Sequence, residues 1–273
     1  MIEPPLPPGV IARHSAPQST RSARTEPSEP GITLDRVHFS YPGGQKILVD
    51  TSWELLQGES AVVTGGVGSG KSTLLYLCAG LLAPVQGKVL LSGFPITPLL
   101  PSERFRHGLR VGFVFQEGGL LANLSARANV SLALHYHADV LGMTEAQIED
   151  RTTEVLELCR IDRKDWSELP AHMSFGNRKR VALARAMAIE PTFFFFDDPD
   201  VGLDQRTALV IHELLCKLRD DPKVTLVVGT NRGILMERLG VPGFRLAGGQ
   251  LTTRTEVHSL VPPSPASGSW HPG

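Results

Sequence analysis

The chain has 273 residues, a formal net charge of −1 and 41% hydrophobic residues. This size and apolar content predict one large domain or two small ones, with enough apolar material for a full core. The near-neutral charge argues against a general nucleic-acid-binding protein, so we expect no nucleic-acid partner.

The prolines mark the expected borders of the folded part. Of the 21 prolines, seven lie in residues 1–30 and four in residues 262–273. The first of these stretches also mixes Arg and Glu with Ser and Thr, and such a segment buries too little apolar surface to offset its ordering entropy. We therefore expect disordered tails at residues 1–30 and 261–273 around a globular domain at residues 31–260.

The sequence favours a cytosolic location. No run of residues approaches the roughly 20 apolar residues of a membrane span, and the N-terminus lacks the basic and apolar regions of a signal peptide. The three cysteines, Cys78, Cys159 and Cys216, show no metal-ligand spacing. They are typical of reduced, buried thiols in a cytosolic protein.

The first half of the chain predicts strands around one helix. Val37, Phe39 and Tyr41 alternate as on one face of a strand. A glycine loop follows a short apolar strand and precedes an apolar segment that fits a buried helix. In chain order we expect strands at residues 32–42, 47–56 and 59–64, a helix at 71–82, and strands at 88–93 and 111–116.

The second half predicts helices alternating with buried strands. The clearest helix starts with capping-box spacing between Thr144 and Gln147. We expect helices at 144–160, 177–190 and 208–220, strands at 193–198 and 225–230, and a late hairpin joining 244–246 to 251–253. This alternation predicts an α/β fold with a mainly parallel sheet, and the lack of strand signals at about 118–190 predicts a helical insertion.

The strongest motif is GGVGSGKS at residues 65–72, which fits G-x-x-x-x-G-K-[ST] between a strand and a helix. Its glycines let several N–H groups turn inward as an anion nest, and the helix N-terminus adds positive potential. Lys71 can reach the β- and γ-phosphates of a nucleotide, and the Ser72 hydroxyl can ligate Mg²⁺. The alternative is a glycine-rich turn with an accidental lysine. The residues assigned to nucleotide binding are Gly65, Gly66, Val67, Gly68, Ser69, Gly70, Lys71, Ser72 and Thr73.

A pair of carboxylates ends the apolar segment FFFFDD at residues 193–198. A phosphate-loop site needs an aspartate on a second strand to hold Mg²⁺, and Asp197 fits that role. The alternative is that Asp197 and Asp198 only cap the turn before Pro199. Together the two motifs predict binding of a nucleotide with Mg²⁺, without showing how its energy is used.

With these motifs in order, residues 32–251 resemble the ATP-binding subunit of an ABC transporter, a P-loop ATPase. Five further segments carry the resemblance: Tyr41, Gln116, the signature-like MSFGN at 173–177, GLD at 202–204, and Asn231. The resemblance implies adenine stacking by Tyr41 and catalytic roles for Asp198, Gln116 and Asn231. It further implies Mg²⁺ ligands at Ser72, Gln116 and Asp197, and nucleotide contacts at Ser174, Phe175 and Gly176.

The resemblance also implies a fold and partners. The fold would join an antiparallel β subdomain carrying Tyr41, a parallel core sheet carrying the phosphate loop, and the helical insertion carrying the signature. ATP and Mg²⁺ would be the cofactors, and two subunits, identical or different, would close head-to-tail around them. This closure would drive separate permease subunits, so we expect membrane contact only through partners, on the cytoplasmic face of the inner membrane.

Within the ABC family, residues 115–130 and 170–191 resemble the ATPases of Mla/Mce-type lipid transport systems. In the first segment the glutamine is followed by a glycine and an apolar pair, and later by Asn-Val. This resemblance implies transport of a phospholipid. The alternative is a generic ABC subunit whose short loop is similar by chance.

Three motifs depart from the family pattern, and all concern catalysis. Asp198 stands where a glutamate serves as general base, and its carboxylate is one methylene shorter, a retreat of more than ~1 Å. Asn231 replaces the switch histidine and cannot carry charge or transfer a proton. Phe175 replaces a signature glycine and Asn177 its glutamine, which adds bulk near the expected dimer interface. We expect slowed hydrolysis; the alternatives are an ordinary active ATPase and a non-hydrolysing regulatory or structural pseudo-ATPase.

Two smaller groups of polar residues predict no site of their own. The run Arg178–Arg180 is expected to be a solvated first turn of its helix rather than a nucleic-acid contact. His135 and His137 are two residues apart, so on a helix they would point away from each other. We therefore expect no metal pair there.

Overall fold

The computed structural model describes residues 29–97 and 99–253. Apart from residues 29 and 30, the tails expected at both ends of the chain lie outside these described residues. Pro30 pairs with Leu56 in the first two strands. The fold therefore begins slightly before the border expected at residue 31.

The described part of the chain contains ten strands, seven α-helices and two three-residue 3-10 helices, Arg163–Asp165 and Pro170–His172. The strands are β1 (Pro30–Ser40), β2 (Lys46–Leu56), β3 (Ser60–Thr64), β4 (Gln86–Leu91), β5 (Phe94–Pro95), β6 (Val111–Val114), β7 (Phe193–Asp197), β8 (Thr225–Gly229), β9 (Gly243–Ala247) and β10 (Gln250–Thr253). The helices are α1 (Lys71–Cys78), α2 (Pro101–Arg106), α3 (Ala126–Leu141), α4 (Glu145–Leu158), α5 (Phe175–Ala188), α6 (Gln205–Asp220) and α7 (Gly233–Leu239). None of these helices has the length and apolar character that a bilayer span requires.

Two sheets organise these elements. β2-β1-β4-β5 form an antiparallel four-stranded sheet, and β10-β9-β3-β8-β7-β6 form a six-stranded sheet. Neighbours from β9 to β6 are parallel, and β10 folds back antiparallel on β9 as the expected late hairpin. The predicted α/β fold, with its antiparallel β subdomain and parallel core sheet, is confirmed.

The central strands of the parallel sheet are buried on both faces. Every residue of β3, β7 and β8 is buried. Phe194 and Phe196 of β7 belong to one hydrophobic cluster, and Phe193 and Phe195 belong to the other. Such strands read as continuous apolar runs because neither face meets water. Their carboxyl ends lie at one edge of the sheet, where α/β proteins bind ligands.

Residues 118–190 form helices and no strand, as predicted. The capping box that starts α4 is confirmed: the Thr144 N–H donates to Gln147 Oε1 at 2.9 Å, and the Gln147 N–H donates to Thr144 Oγ1 at 3.4 Å. These bonds satisfy two backbone donors near the helix start. α3 lies within the predicted insertion, and the Ser125 hydroxyl caps it by accepting from the Ala128 N–H.

Some elements differ from the prediction. α1 ends at Cys78 rather than at residue 82, because Gly80 takes a left-handed backbone angle with φ +67° and begins a turn. α2 and α7 have six and seven residues, too few for a periodic apolar signal. Burial raises the pKa of the Cys78 and Cys159 thiols to about 12, as expected for inert thiols, whereas Cys216 is only half-buried.

Candidate functional site

The phosphate loop joins the carboxyl end of β3 to the first turn of α1. Two of its glycines, Gly68 and Gly70, have φ angles of +73° and +97°, which other residues adopt only with strain. Space around Gly65 is tight, since a Cβ there would lie 2.7 Å from the backbone oxygen of Leu246. The path of the loop therefore requires glycine at these positions.

The Lys71 side chain lies inside this loop. It is 9% exposed, and its Nζ donates a hydrogen bond to the Gly65 carbonyl at 3.0 Å. An ammonium group has three N–H donors, so two remain for other acceptors. Its charge and the backbone N–H groups of the loop together suit a bound phosphate.

Asp197 ends β7 and faces the start of α1. It is 1% exposed, and the Ser72 hydroxyl lies close to its carboxylate. Burial raises the pKa of Asp197; the nearby Ser72 hydroxyl opposes this rise, and the charge of Asp198 adds to it. The Oδ1 atom of Asp197 has no hydrogen-bond partner in the protein. A buried carboxylate oxygen of this kind beside a hydroxyl fits a hard divalent cation such as Mg²⁺.

Asp198 begins the loop that leaves β7. Its φ is +44°, and its N–H donates to the Gly229 carbonyl at 2.8 Å. Its own carbonyl oxygen accepts a hydrogen bond from Lys179 Nζ at 2.5 Å. The backbone is thus fixed on both sides, which sets the direction of the half-buried Asp198 side chain.

The buried position of Lys179 contradicts one expectation. The run Arg178–Arg180 was expected to be solvated, but Lys179 is fully buried because α5 turns it toward the loop after β7. Its Nζ also donates to the carbonyls of Pro199 at 3.0 Å and Val201 at 3.4 Å. The signal that could have revealed this is spacing, since Lys179 shares a helix face with two apolar residues, Ala182 and Ala186.

The ionisation of Lys179 reflects this burial. Burial lowers the pKa of its ammonium group to about 8. Carboxylates around it oppose that shift by favouring the charged form; in order of effect they are Asp200, Asp198, Asp197 and Glu117.

Asn231 follows β8, the strand between β3 and β7. Its Oδ1 accepts a hydrogen bond from the Gly65 N–H at 3.0 Å. The structure thus brings the expected switch position against the first residue of the phosphate loop. A neutral amide makes this contact, and an amide cannot take up a proton in the physiological range.

A cluster of ionisable side chains that the sequence did not reveal lies beside the site, with Asp200 and His212 buried and Arg232 exposed. Asp200 Oδ2 is 3.2 Å from His212 Nε2, and Asp200 Oδ1 is 3.7 Å from Arg232 Nε. Burial alone would raise the pKa of Asp200, but the His212 hydrogen bond and the charges of His212 and Arg232 bring it below its ordinary value. Because Arg232 follows Asn231, this cluster ties the loop after β8 to the loop after β7.

Tyr41 and Gln116 lie at the margins of the site. Tyr41 is 43% exposed, and its hydroxyl is 3.2 Å from Thr73 Oγ1 on α1. Its ring meets Phe39 edge-on, with 5.0 Å between centroids. Gln116 is half-buried and follows β6, the strand that pairs with β7. Tyr41 therefore lies against the first turn of α1, and Gln116 follows the strand next to the one that carries Asp197.

The signature-like segment forms the start of α5. Ser174 caps the helix by accepting from the Asn177 N–H at 3.1 Å. Phe175 is half-buried, and a Cβ on Gly202 would lie 3.0 Å from its ring. The bulk expected at a dimer interface therefore packs partly within its own chain. Gly176 packs tightly against α6, because a Cβ on Gly176 would be 2.9 Å from the Thr207 methyl group.

The structure does not join the signature to the phosphate loop within one chain. Among the described residues, no hydrogen bond connects Ser174 or Gly176 with residues 65–72. The other expected site residues, from the phosphate loop to Asp197, Asp198 and Asn231, do come together at the carboxyl edge of the parallel sheet. The signature positions stand apart from them, on the helical insertion.

Two curated proteins are similar to most of the folded part. The sulfate/thiosulfate import ATP-binding protein CysA of Thermosynechococcus vestitus is 35% identical over 201 residues, which are 74% of this chain and 56% of that protein. The protein TRIGALACTOSYLDIACYLGLYCEROL 3, chloroplastic, of Arabidopsis thaliana is 37% identical over 180 residues, 63% of this chain and 51% of that protein. The chain thus spans about half the length of these relatives.

A solved structure and a family model agree with them. The dimeric structure of a post-hydrolysis state of the ATP-binding cassette MJ0796, bound to ADP and Pi, matches with a TM-score of 0.73 at 30% identity, over 81% of this chain and 96% of that one. The family model described as ABC transporter matches residues 48–201, which include the phosphate loop, Asp197 and the signature-like segment. The chain therefore belongs to the ABC transporter family.

Proposed function

We propose that the chain binds ATP with Mg²⁺ and, by closing head-to-tail on a second subunit, drives separate membrane permease subunits. One observation carries this proposal above the others. The unpartnered Oδ1 of buried Asp197 lies beside the Ser72 hydroxyl, at the start of the same helix as Lys71. A glycine loop with positive φ angles, a lysine inside it and a carboxylate oxygen without a protein partner together suit a nucleoside triphosphate with its metal.

The chain's own groups would divide the work of binding. The backbone N–H groups of residues 65–72 and the N-terminus of α1 would hold the β- and γ-phosphates, with Lys71 supplying positive charge. Ser72, Gln116 and Asp197 would hold Mg²⁺, which neutralises phosphate charge when bound. Tyr41, exposed next to α1, would offer its ring to the adenine.

We infer that hydrolysis is slow. The Asp198 carboxylate would orient the attacking water, but it is one methylene shorter than glutamate, and a ~1 Å misplacement costs on the order of a hundredfold in rate. Asn231 would support the γ-phosphate with a neutral amide that already holds the Gly65 N–H. Nothing comparable weakens binding, because Lys71, Ser72 and Asp197 keep the contacts described above.

The position of the signature residues suggests that the chain needs a second ATP-binding subunit. Ser174 and Gly176 stand apart from the phosphate loop of their own chain, so they would contact ATP held by a second subunit, identical or different. Gln116 and the segment after it would contact the permease. This arrangement would place the subunit on the cytoplasmic face of the inner membrane, bound only through partners.

The cargo we propose is a phospholipid. Residues 115–130 carry the lipid-system pattern found in the sequence, and the name of the Arabidopsis relative contains that of a diacylglycerol lipid. The other relative is named for sulfate and thiosulfate import, so similarity alone does not choose between cargo classes. Co-purification of the tagged chain from membranes, followed by lipid extraction, tests this choice: a bound phospholipid supports it, and a complex that carries only an anion-binding partner opposes it.

The inference of slow hydrolysis is tested by restoring the family residues. We expect the double variant Asp198→Glu, Asn231→His to raise steady-state ATP turnover by about tenfold or more, since the base regains its reach. Asp198→Asn is the matched control, and its turnover should fall below that of the unmodified chain. An unmodified chain that already turns over as fast as the double variant would contradict the inference.

A structural pseudo-ATPase is the second candidate, favoured by the combined changes at Asp198, Asn231 and Phe175. The complex assembled with its permease separates the two functions. If ATP drives transport, Lys71→Ala should abolish transport by the complex without preventing its assembly. Full transport after Lys71→Ala would instead support the structural function.

A further inference from the structure

Lys179 connects the signature helix α5 to the loop after β7, which carries the proposed base Asp198. The residue lies on α5, the helix that Ser174 caps and that carries Gly176. Both of those residues would contact ATP on a second subunit. The three acceptors of Lys179 belong to the loop after β7, at residues 198–201. A single side chain thus joins the signature helix to the loop at the carboxyl edge of the parallel sheet.

The ammonium group of Lys179 is fully satisfied in this position. An ammonium has three N–H donors, and three carbonyl oxygens lie 2.5, 3.0 and 3.4 Å from Nζ. The rings of Phe175 and Phe196 have centroids 5.6 and 5.9 Å from Nζ. Aromatic faces attract a cation in this range, and more strongly where water is excluded.

The carbonyl oxygens that Lys179 binds lie at both ends of the loop, at Asp198 and at Val201. Asp198, at the start, carries the carboxylate assigned above to orient water. Val201, at the end, precedes Gly202, against which the Phe175 ring packs. The loop is therefore attached to the signature helix in two ways. The Lys179 ammonium group binds its carbonyl oxygens, and the Phe175 ring packs against Gly202.

Resting on the proposed function, we propose that Lys179 is a positioning residue for ATP hydrolysis. Its buried ammonium group holds the loop at residues 198–201, and with it the Asp198 carboxylate, in fixed register with the signature helix. Phe175, which departs from the family signature, covers this clamp within the same subunit. A movement of α5 on dimer closure would then be transmitted directly to the carboxylate.

Kinetic measurements on the full chain separate positioning from folding. We expect Lys179→Met to lower kcat by about tenfold to a hundredfold, because a small misplacement of the base is costly. The Kd for Mg-ATP and the KM should stay within about twofold, since the phosphate loop is untouched. Lys179→Gln keeps two N–H donors and should recover part of the kcat. Val181→Ala, a buried apolar position on the same helix, is the matched control and should leave kcat unchanged.

Amide hydrogen exchange tests the same clamp without relying on turnover. In Lys179→Met, exchange at residues 198–204 should be about tenfold faster, since the loop loses hydrogen bonds from a charged donor. Exchange at residues 65–72 should match the unmodified chain. Unchanged exchange at 198–204, or full kcat in Lys179→Met, would overturn the proposal. Failure of the unmodified chain to bind Mg-ATP would instead overturn the proposed function, and the exchange experiment would still decide whether Lys179 holds the loop.

Discussion

The three aspartates at the end of β7 and just after it have different partners, and the partner determines what each residue can do. Asp197 faces the Ser72 hydroxyl and keeps one oxygen without a protein partner. The backbone of Asp198 is held by Lys179. Asp200 faces His212 and is paired with Arg232. Three carboxylates in four positions therefore have three different surroundings, which suit the metal, base and structural roles proposed for them.

The Asp200 cluster makes a testable contribution to stability. Since the pKa of Asp200 is lower in the folded chain than in the unfolded chain, its charge stabilises the fold above about pH 4 and this stabilisation is lost as pH falls through the folded pKa. We expect Asp200→Asn to lower the unfolding free energy by about 2 kcal/mol at pH 7. The difference from the unmodified chain should shrink at acid pH. Urea titrations at several pH values measure it, and a difference independent of pH would contradict this role.

For single residues, the sequence predicts the functions that belong to a motif. It does not predict contacts that arise only when distant segments pack together. The spacing of Lys71, Ser72 and Asp197 is enough to predict a nucleotide site, because each must fit a phosphate or a metal. The spacing of Lys179 to Ala182 and Ala186 indicates at most a buried helix face, and no pattern identifies its acceptors, which are carbonyl oxygens of a loop 19 to 22 residues away. The sequence also does not predict a role for His212, because its partner Asp200 lies on a different element.

At the scale of elements, the signature helix α5 rests closely on the start of α6. The contact depends on Gly176, whose missing Cβ leaves room for the Thr207 methyl group. Thr207 in turn is fixed by Asp204, the N-cap of α6, through hydrogen bonds of 2.9 Å to its N–H and 2.7 Å to its hydroxyl. Neither partner can move easily, so the spacing of the two helices is set by one glycine.

A Cβ at Gly176 should therefore force the two helices apart. We expect Gly176→Ala to lower the unfolding free energy by about 1–3 kcal/mol, the usual range for overpacking, as measured by urea titration. Gly176→Ala combined with Thr207→Ser removes the obstructing methyl group and keeps the capping hydroxyl, so it should recover most of the loss. Equal stability of Gly176→Ala and the unmodified chain would show that this contact is not tight.

The elements that the sequence predicts best are those with a strong repeating pattern. The buried strands β3, β7 and β8 appear as apolar runs, and the capping box of α4 is visible as two residues at the right spacing. α2 and α7 are too short for such a pattern. α1 stops early because of a turn at Gly80, and the apolar sequence that continues beyond it hides that turn.

For the whole molecule, the central feature is that the groups proposed to hold the phosphates and Mg²⁺ from this chain meet at one edge of the parallel sheet. β3 delivers the phosphate loop, β7 delivers Asp197 and Asp198, and β8 delivers Asn231. Ser174 and Gly176 lie on the helical insertion, and among the described residues they make no hydrogen bond to the phosphate loop. In the proposed function one chain would therefore provide one nucleotide site and one surface for the site of a second subunit, which is why we propose dimer closure as the working step.

The most direct test of this account is an equilibrium titration of the purified chain with ATP, with and without Mg²⁺, alongside Lys71→Ala. We predict saturable binding of one ATP per chain that is strengthened by Mg²⁺. Lys71→Ala should weaken it by on the order of a hundredfold, because charge-assisted contacts to phosphate are lost. Absence of saturable binding, or equal affinity in Lys71→Ala, would contradict the central claim that this edge of the sheet is an ATP site.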